Sequence, residues 1–128
     1  MKKKNRIAFV GSFDLFHSGH FNVLKQLNNI FKQKEIYIVV ALNKSKTSNH
    51  SLKKRKKEII LFLKKENFKF KKSHILICKE LFASFSLKNK ITVFARGIRN
   101  NKDLEFESNL KKQYLKLNPK LKSLYFLA

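Results

Sequence analysis

Short apolar runs of strand length alternate with stretches of helical periodicity along the whole chain, and no other feature of the sequence constrains the fold as much. Strands are predicted at residues 6–10, 35–42, 74–78, 91–95 and 121–127. Helices are predicted at residues 18–32, from an N-cap at Ser51 to residue 65, around residues 81–87, and from a cap at Asn101 to Pro119. Strands that alternate with helices pair in parallel through right-handed crossovers. The sequence therefore predicts an α/β, doubly wound, parallel five-stranded sheet with helices on both faces.

The charge of the chain leaves two interpretations open. Thirty Lys and Arg residues against 8 Asp and Glu give a formal net charge of +22, which is typical of proteins that bind nucleic acid or a membrane surface. However, 26 of the 30 basic residues are lysines scattered along the chain, and A/T-rich codons alone can produce such a composition. No apolar run reaches membrane-spanning length, and the single Cys78 suits a reducing compartment. We predict a cytoplasmic protein without a membrane partner.

A first cluster of rare residue types lies between the first predicted strand and the first predicted helix. Glycine occurs three times and histidine four times in the chain, yet Gly11, His17, Gly19 and His20 share this segment. A glycine turn and a helix N-terminus offer backbone N–H groups to an anion, and imidazoles can donate to phosphate oxygens. The pattern predicts a phosphate site. Residue types alone leave three alternatives: a loop with incidental histidines, a zinc site that needs Cys78 or another third ligand, and a serine hydrolase without its Gly-x-Ser-x-Gly turn.

A second cluster of rare residue types follows the fourth predicted strand, where Arg96 and Arg99 flank Gly97. In a chain that uses lysine almost everywhere, a planar guanidinium at a strand end indicates bidentate contact with phosphate. In a parallel sheet, ligands bind at the carboxyl ends of the strands, near the point where the strand order reverses. We expect both clusters of rare residue types to lie at the carboxyl ends of the strands.

The segment from Gly11 to His20 resembles the G-T-F-D-x-x-H-x-G-H signature of the HxGH nucleotidyltransferase superfamily, with serine in place of threonine. The residues that start at Arg96-Gly97-Ile98-Arg99 and continue with Asp103, Glu105 and Glu107 resemble the R-G-[LI]-R-x-x-x-D-[FL]-E-x-E block of the phosphopantetheine adenylyltransferases. The stretch at 43–46 looks like the N-P-S-K loop of that family. Because the resemblance runs from residue 7 to residue 127, it predicts one Rossmann-like nucleotidyltransferase domain over residues 1–128.

This resemblance implies transfer of AMP from ATP to 4′-phosphopantetheine by direct in-line displacement, with Mg2+ on the ATP phosphates. It also implies a homo-oligomer, which is a hexamer in the family. Catalytic roles are implied for His20, Lys46 and Arg99. Contacts with ATP are implied for Ser12, Phe13, His17, His20, Gly97, Ile98, Arg99 and Glu107. Contacts with phosphopantetheine are implied for Ser12, Lys46, Phe82 and Arg96.

Several of these residues also have simpler interpretations. Glu107 can merely support its helix, Phe82 can belong to the core, and the basic run at 53–57 is most simply a solvated helix face. The family continues after its fifth strand into a serine-rich I-S-S-S turn, and this sequence ends before such a segment. The alternatives are another HxGH enzyme, such as a cytidylyltransferase, and a non-catalytic basic remnant that binds nucleic acid. We predict no specific nucleic-acid partner.

Overall fold

Strands and helices alternate in the structure, a computed structural model that describes residues 5–42 and 50–127. Within these residues the elements follow in the order β1 (Ile7–Gly11), α1 (Ser18–Ile30), β2 (Ile36–Ala41), α2 (Leu52–Lys65), β3 (Ile75–Cys78), α3 (Phe82–Lys88), β4 (Val93–Ile98), α4 (Asn101–Leu117) and β5 (Lys122–Leu127). Short 3-10 turns at Gln33–Glu35 and Lys72–His74 lead into β2 and β3. The predicted order of elements is therefore confirmed.

The five strands form one parallel sheet in the order β3-β2-β1-β4-β5. At its centre, Phe9 of β1 is in register with Ile38 of β2 on one side and with Ala95 of β4 on the other. The chain extends the sheet from β1 to β3 in one direction and from β4 to β5 in the other. The strand order thus reverses between β1 and β4, and a reversal of this kind opens a crevice at the carboxyl ends of the two strands.

Helices cover both faces of the sheet. Phe9 belongs to a buried cluster with side chains of α1 and α2. Its neighbour Val10 belongs to a second cluster with Phe82 of α3 and Tyr114 of α4. Because successive residues of a strand point to opposite faces, α1 and α2 cover one face while α3 and α4 cover the other. The predicted α/β, Rossmann-like, doubly wound architecture is confirmed.

Strand β4 is longer at its carboxyl end than the apolar pattern predicts. The prediction ends it at residue 95, but it continues to Ile98 because it pairs with β5 as far as Leu127. Arg96 and Gly97, which were expected to follow the strand, therefore lie within it.

The helix N-caps are partly as predicted. Ser51 caps α2, and its hydroxyl accepts from the Lys54 N–H at 3.1 Å. The expected cap of α4 at Asn101 is wrong: Asn100 occupies that position, and its side chain accepts from the Asp103 N–H at 3.0 Å. Over the described parts of the chain, no helix combines the length and the apolar character needed to cross a membrane.

Candidate active site

A buried aromatic side chain shapes the loop between β1 and α1. Gly11 ends β1, and a Cβ atom there would lie 3.1 Å from the Phe13 ring, so glycine leaves room for this ring. Phe13 has a left-handed backbone with φ of 45°, and its buried ring packs edge-on against Phe9 and His20. Such a conformation is unfavourable for a bulky residue and persists only where the surroundings hold it. Because its side chain is in the core, Phe13 is left with its backbone for any ligand contact.

The two histidines of this segment form a capping box at the start of α1. Nδ1 of His17 accepts from the Gly19 N–H at 3.0 Å, and Nδ1 of His20 accepts from the His17 N–H at 3.2 Å. The two rings stack with their centroids 3.8 Å apart. A Cβ atom on Gly19 would come within 2.9 Å of the His17 ring, which explains the glycine between the histidines. Both imidazoles thus accept at Nδ1 for the helix cap, and Nε2 is the ring nitrogen that the cap does not use.

The surroundings of His20 keep its imidazole neutral. The half-buried ring contacts the rings of Phe13 and Phe16, with centroids 5.1 Å and 5.4 Å away. Burial, followed by the charges of His17 and Arg99, lowers the His20 pKa from 6.5 to about 4. Since Nδ1 accepts a hydrogen bond, the proton of the neutral ring lies on Nε2. At neutral pH, His20 therefore presents an Nε2–H donor at the positive end of a helix, which suits a phosphate oxygen.

Arg96 of β4 is bound within the protein by a buried carboxylate. Its Nε and Nη2 atoms lie 2.8 Å and 2.7 Å from Oε1 of Glu107. Its Nη1 donates to the Val10 carbonyl of β1 at 3.2 Å. Glu107 is only 4% exposed, and within residues 5–42 and 50–127 its Oε2 atom has no hydrogen-bond partner. The ion pair joins α4 and β4 to the end of β1, at the crevice.

Arg99 follows β4, and the start of α4 fixes its backbone. Its N–H donates to Oδ2 of Asp103 at 3.0 Å, and its Nε lies 3.6 Å from the same oxygen. The Arg99 side chain is 70% exposed, yet its charge is close enough to act on the pKa of His20. The ends of β1 and β4 thus bring together the two clusters of rare residue types. The first cluster supplies the neutral imidazole donor of His20, and the second supplies the guanidinium of Arg99.

The fold and the crevice agree with the family that the sequence matches. Residues 8–124 match the family described as cytidylyltransferase-like. The chain belongs to the cytidylyltransferase-like family. The match includes every residue of the crevice described above, from Val10 to Glu107.

Three similar proteins carry the name phosphopantetheine adenylyltransferase. The protein from Malacoplasma penetrans is 32% identical over 127 residues, which cover 99% of this chain and 81% of the relative. The protein from Wigglesworthia glossinidia brevipalpis is 32% identical over 128 residues, covering 100% and 72%. The protein from Mycoplasma mycoides subsp. mycoides SC is 31% identical over 125 residues, covering 94% and 82%. These relatives place the chain in the phosphopantetheine adenylyltransferase branch of the family.

The fold also has a counterpart among solved structures. The crystal structure of a protein of unknown function from Archaeoglobus fulgidus superposes with a TM-score of 0.66 at 13% sequence identity. The similarity covers 94% of this chain and 88% of that one. At such an identity, it concerns the fold alone.

The other residues that the sequence predicts for the site lie in different surroundings. Ser12, Gly97 and Ile98 are half-buried at the ends of β1 and β4. Phe82, at the start of α3, is 4% exposed and packs in the core, which agrees with the simpler interpretation of its side chain. Lys46 lies outside the described residues. A ligand role for each of them stays a prediction.

Arg55 is a buried residue to which the sequence analysis assigns no role of its own. It belongs to the basic run at 53–57, for which a solvated helix face is predicted. Lys53, Lys54 and Lys57 are indeed exposed, but Arg55 is only 6% exposed. Its residue type is the signal that could have revealed it, because arginine occurs four times in a chain with 26 lysines.

The metal-binding alternative has no support in the part of the chain that the structure describes. There, no group of three His, Cys, Asp or Glu side chains is arranged to hold an ion. Cys78, a possible third ligand for zinc beside His17 and His20, is buried at the end of β3, where its thiol donates to the Glu80 carbonyl at 3.1 Å.

Proposed function

We propose that the protein transfers the adenylyl group of ATP to 4′-phosphopantetheine, giving dephospho-coenzyme A and pyrophosphate. A neutral His20 with the charge of Arg99 in its surroundings, at the reversal of strand order, is the observation that most directly supports nucleotidyl transfer. The acceptor is supported by the relatives, which are named phosphopantetheine adenylyltransferases.

The proposed reaction is an in-line displacement at phosphorus. A phosphate oxygen of phosphopantetheine attacks the α-phosphorus of ATP. The bond from that phosphorus to the oxygen that bridges to the β-phosphate breaks, and pyrophosphate leaves with the electron pair. No bond to the protein forms, so the residues act by positioning the two substrates and by stabilising charge.

His20 and Arg99 carry the charge stabilisation in this proposal. His20 donates from Nε2 to a non-bridging oxygen of the α-phosphate, where negative charge must be stabilised in the transition state. Arg99 adds a permanent positive charge beside the same group. Because His20 is already neutral and already a donor at pH 7, it needs no proton from solvent to act.

The remaining contacts divide between the two substrates. Arg96 and Lys46 hold the phosphate of phosphopantetheine and reduce the repulsion between the two anionic substrates, with Ser12 and the backbone of Phe82 beside them. The groups proposed for ATP are Ser12, the Phe13 backbone, His17, Gly97, Ile98 and Glu107. Since Glu107 holds Arg96 at 2.7 Å, it also sets the direction of that guanidinium.

Mg2+ is proposed to enter with ATP. When bound, the ion neutralises charge on the phosphate oxygens of the nucleotide. The donor groups of the described residues fit this arrangement better than a protein cage, because no three of their His, Cys, Asp or Glu side chains converge. In this proposal the nucleotide phosphates hold the ion.

The family resemblance further supports proposals about assembly and location. Helix α4 leaves Leu104, Phe106 and Leu117 about half exposed, and contact between copies of the chain in a homo-oligomer would bury such side chains. Sedimentation of the purified protein tests this proposal. A cytoplasmic location is consistent with the single Cys78.

A turnover assay with two substrate pairs tests the function. Purified protein with Mg2+, ATP and 4′-phosphopantetheine is expected to release pyrophosphate and form dephospho-coenzyme A, identified by its mass. CTP with glycerol phosphate, the pair of the cytidylyltransferase alternative, is expected to give no product. Turnover of the second pair without the first would contradict the proposal and favour that alternative.

Two variants of His20 sharpen the assay. His20→Asn keeps an acceptor near the position of Nδ1 for the helix cap but loses the Nε2–H donor, so we expect kcat to fall by about 10²–10³ with the fold retained. His20→Gln carries an amide donor near the position of Nε2 and is expected to lose less of the rate. Equal rates for His20→Asn and the wild type would remove His20 from the chemistry.

A further inference from the structure

Arg55 contacts the loop between β1 and α1 on both sides of its left-handed residue. Its Nη1 donates to the Ser12 carbonyl at 3.1 Å, and its Nε lies 3.8 Å from Oδ1 of Asp14. Phe13, whose φ of 45° is unfavourable for a phenylalanine, lies between these two contacts. The guanidinium thus contacts both neighbours of a residue whose backbone conformation is unfavourable and has to be stabilised by its surroundings.

The same guanidinium ties this loop to the beginning of α2. Its Nε donates to the His50 carbonyl at 3.1 Å, and Nδ1 of His50 lies 3.2 Å from the Asp14 carboxylate. The Arg55 side chain is only 7% exposed, so its contacts with the two carbonyls are largely shielded from water, whereas the side chains of His50 and Asp14 are about half exposed. A lysine would not reproduce this geometry, because its donors all lie on one nitrogen at the end of a flexible chain, whereas Arg55 donates to the two carbonyls from two separated nitrogens of a rigid plane.

Peptide geometry connects Arg55 to the predicted ATP contacts. In a trans peptide the carbonyl oxygen and the N–H of the next residue point in opposite directions. By holding the Ser12 oxygen, Arg55 fixes the direction of the Phe13 N–H, a backbone group that we assign to ATP. The Ser12 hydroxyl and the ring of Phe13, which packs against His20, depend on the same peptide.

We propose that Arg55 is a positioning residue for nucleotide binding, which orients the peptide between Ser12 and Phe13 without touching the substrate. The identity of the nucleotide in this proposal rests on the proposed function. The contacts of Arg55 do not depend on that function. The alternative is that Arg55 only stabilises the start of α2.

The conservative variant Arg55→Lys distinguishes the two roles. It keeps the charge and most of the side-chain volume but has one donor nitrogen in place of the separated Nε and Nη1, so we expect kcat/KM for ATP to fall by about 10–100-fold. Arg6→Lys is the matched control: Arg6 also donates from Nη1 to a carbonyl, that of Asn89 at 3.1 Å, but it lies at the amino end of β1, away from the crevice. The control is expected to stay within about twofold of the wild type.

Chemical rescue supplies a readout that a purely structural role does not predict. Arg55→Ala assayed with millimolar guanidinium is expected to regain part of its rate, while methylammonium at the same concentration restores little, because only guanidinium is a planar fork of donors. Thermal unfolding accompanies each assay, which is run well below the midpoint of every variant. A folded Arg55→Lys that matches the wild type, or equal losses in Arg55→Lys and Arg6→Lys, would overturn the proposal. Failure of both Arg55 variants to fold would also overturn it.

Binding of α,β-methylene-ATP separates this inference from the proposed function. Calorimetry with this analogue needs no acceptor substrate, and we expect Arg55→Lys to weaken its affinity by about tenfold relative to the wild type and Arg6→Lys. If the wild type binds the analogue without turning over ATP and phosphopantetheine, the proposed function fails while the role of Arg55 is still measured. Unchanged affinity in Arg55→Lys contradicts the positioning role alone.

Discussion

His20 uses the two nitrogens of its ring for different purposes. Nδ1 accepts from the His17 N–H and completes the cap of α1, which leaves the proton on Nε2. The surrounding phenylalanines make charging of the ring unfavourable, and the neighbouring His17 and Arg99 add to this effect. His20 therefore completes the N-terminal cap of α1 and also presents a hydrogen-bond donor, and the protonation state of its ring does not change near neutral pH.

The lowered pKa of His20 predicts a loss of stability in mild acid. Between pH 6.5 and about 4, the unfolded chain binds a proton at His20 that the folded protein does not bind. The free energy of unfolding therefore falls as the pH is lowered through this window, and the penalty is absent above pH 6.5. Urea denaturation of the wild type and His20→Asn across the window measures it, and the variant is expected to show the shallower pH dependence. Equal slopes would contradict the lowered pKa.

At the scale of elements, the first turn of α4 arranges one side of the crevice. Asn100 accepts from the Asp103 N–H, and the Asp103 carboxylate in turn accepts from the Arg99 N–H. Loss of an N-cap costs about 1 kcal/mol, so Asn100→Ala is expected to lower the free energy of unfolding by about that amount. Asn101→Ala is the matched control, one residue further on and exposed, and should leave stability unchanged or slightly higher because alanine favours helix. Urea denaturation of both variants checks this, and equal losses would place the cap elsewhere.

Apolar periodicity predicts the elements well because each strand and helix buries a face whose spacing is visible locally. The ends of elements are harder, since β4 gains Arg96, Gly97 and Ile98 only through pairing with β5, which no local pattern contains. The cap of α4 was misplaced by one residue because two adjacent asparagines are equally good candidates.

The candidate site follows the same division between local and distant causes. The His-x-Gly-His segment could be assigned from sequence because its cap is local, with both hydrogen bonds spanning three residues or fewer. The contacts of Arg55 could not be assigned in this way, because its partner Ser12 lies 43 residues away. The pairing of Arg96 with Glu107 joins a strand to the following helix, and the sequence offered two roles for Glu107 without deciding between them.

Across the whole molecule, arginine and lysine have different tasks. Each of the four arginines holds a defined partner: the carbonyls of Asn89 and Ser12, and the carboxylates of Glu107 and Asp103. Among the lysines that the structure describes, one forms an ion pair, Lys88 with Glu80 at 2.8 Å. Among the described residues, the positive groups with defined partners are therefore mostly arginines, while most of the described lysines contribute a diffuse field over the surface of this +22 chain.

A diffuse field predicts that salt affects encounter with ATP more than chemistry. The Debye length falls from about 10 Å at 0.1 M salt to about 3 Å at 1 M, so surface lysines lose their influence on an approaching polyanion. We expect KM for ATP to rise with sodium chloride while kcat changes less, and stopped-flow binding should show the loss in the association rate. Random duplex DNA is the control, since any protein of this charge binds it at low salt without sequence preference. Inhibition by DNA that persists at high salt and depends on its sequence would instead indicate a specific nucleic-acid partner.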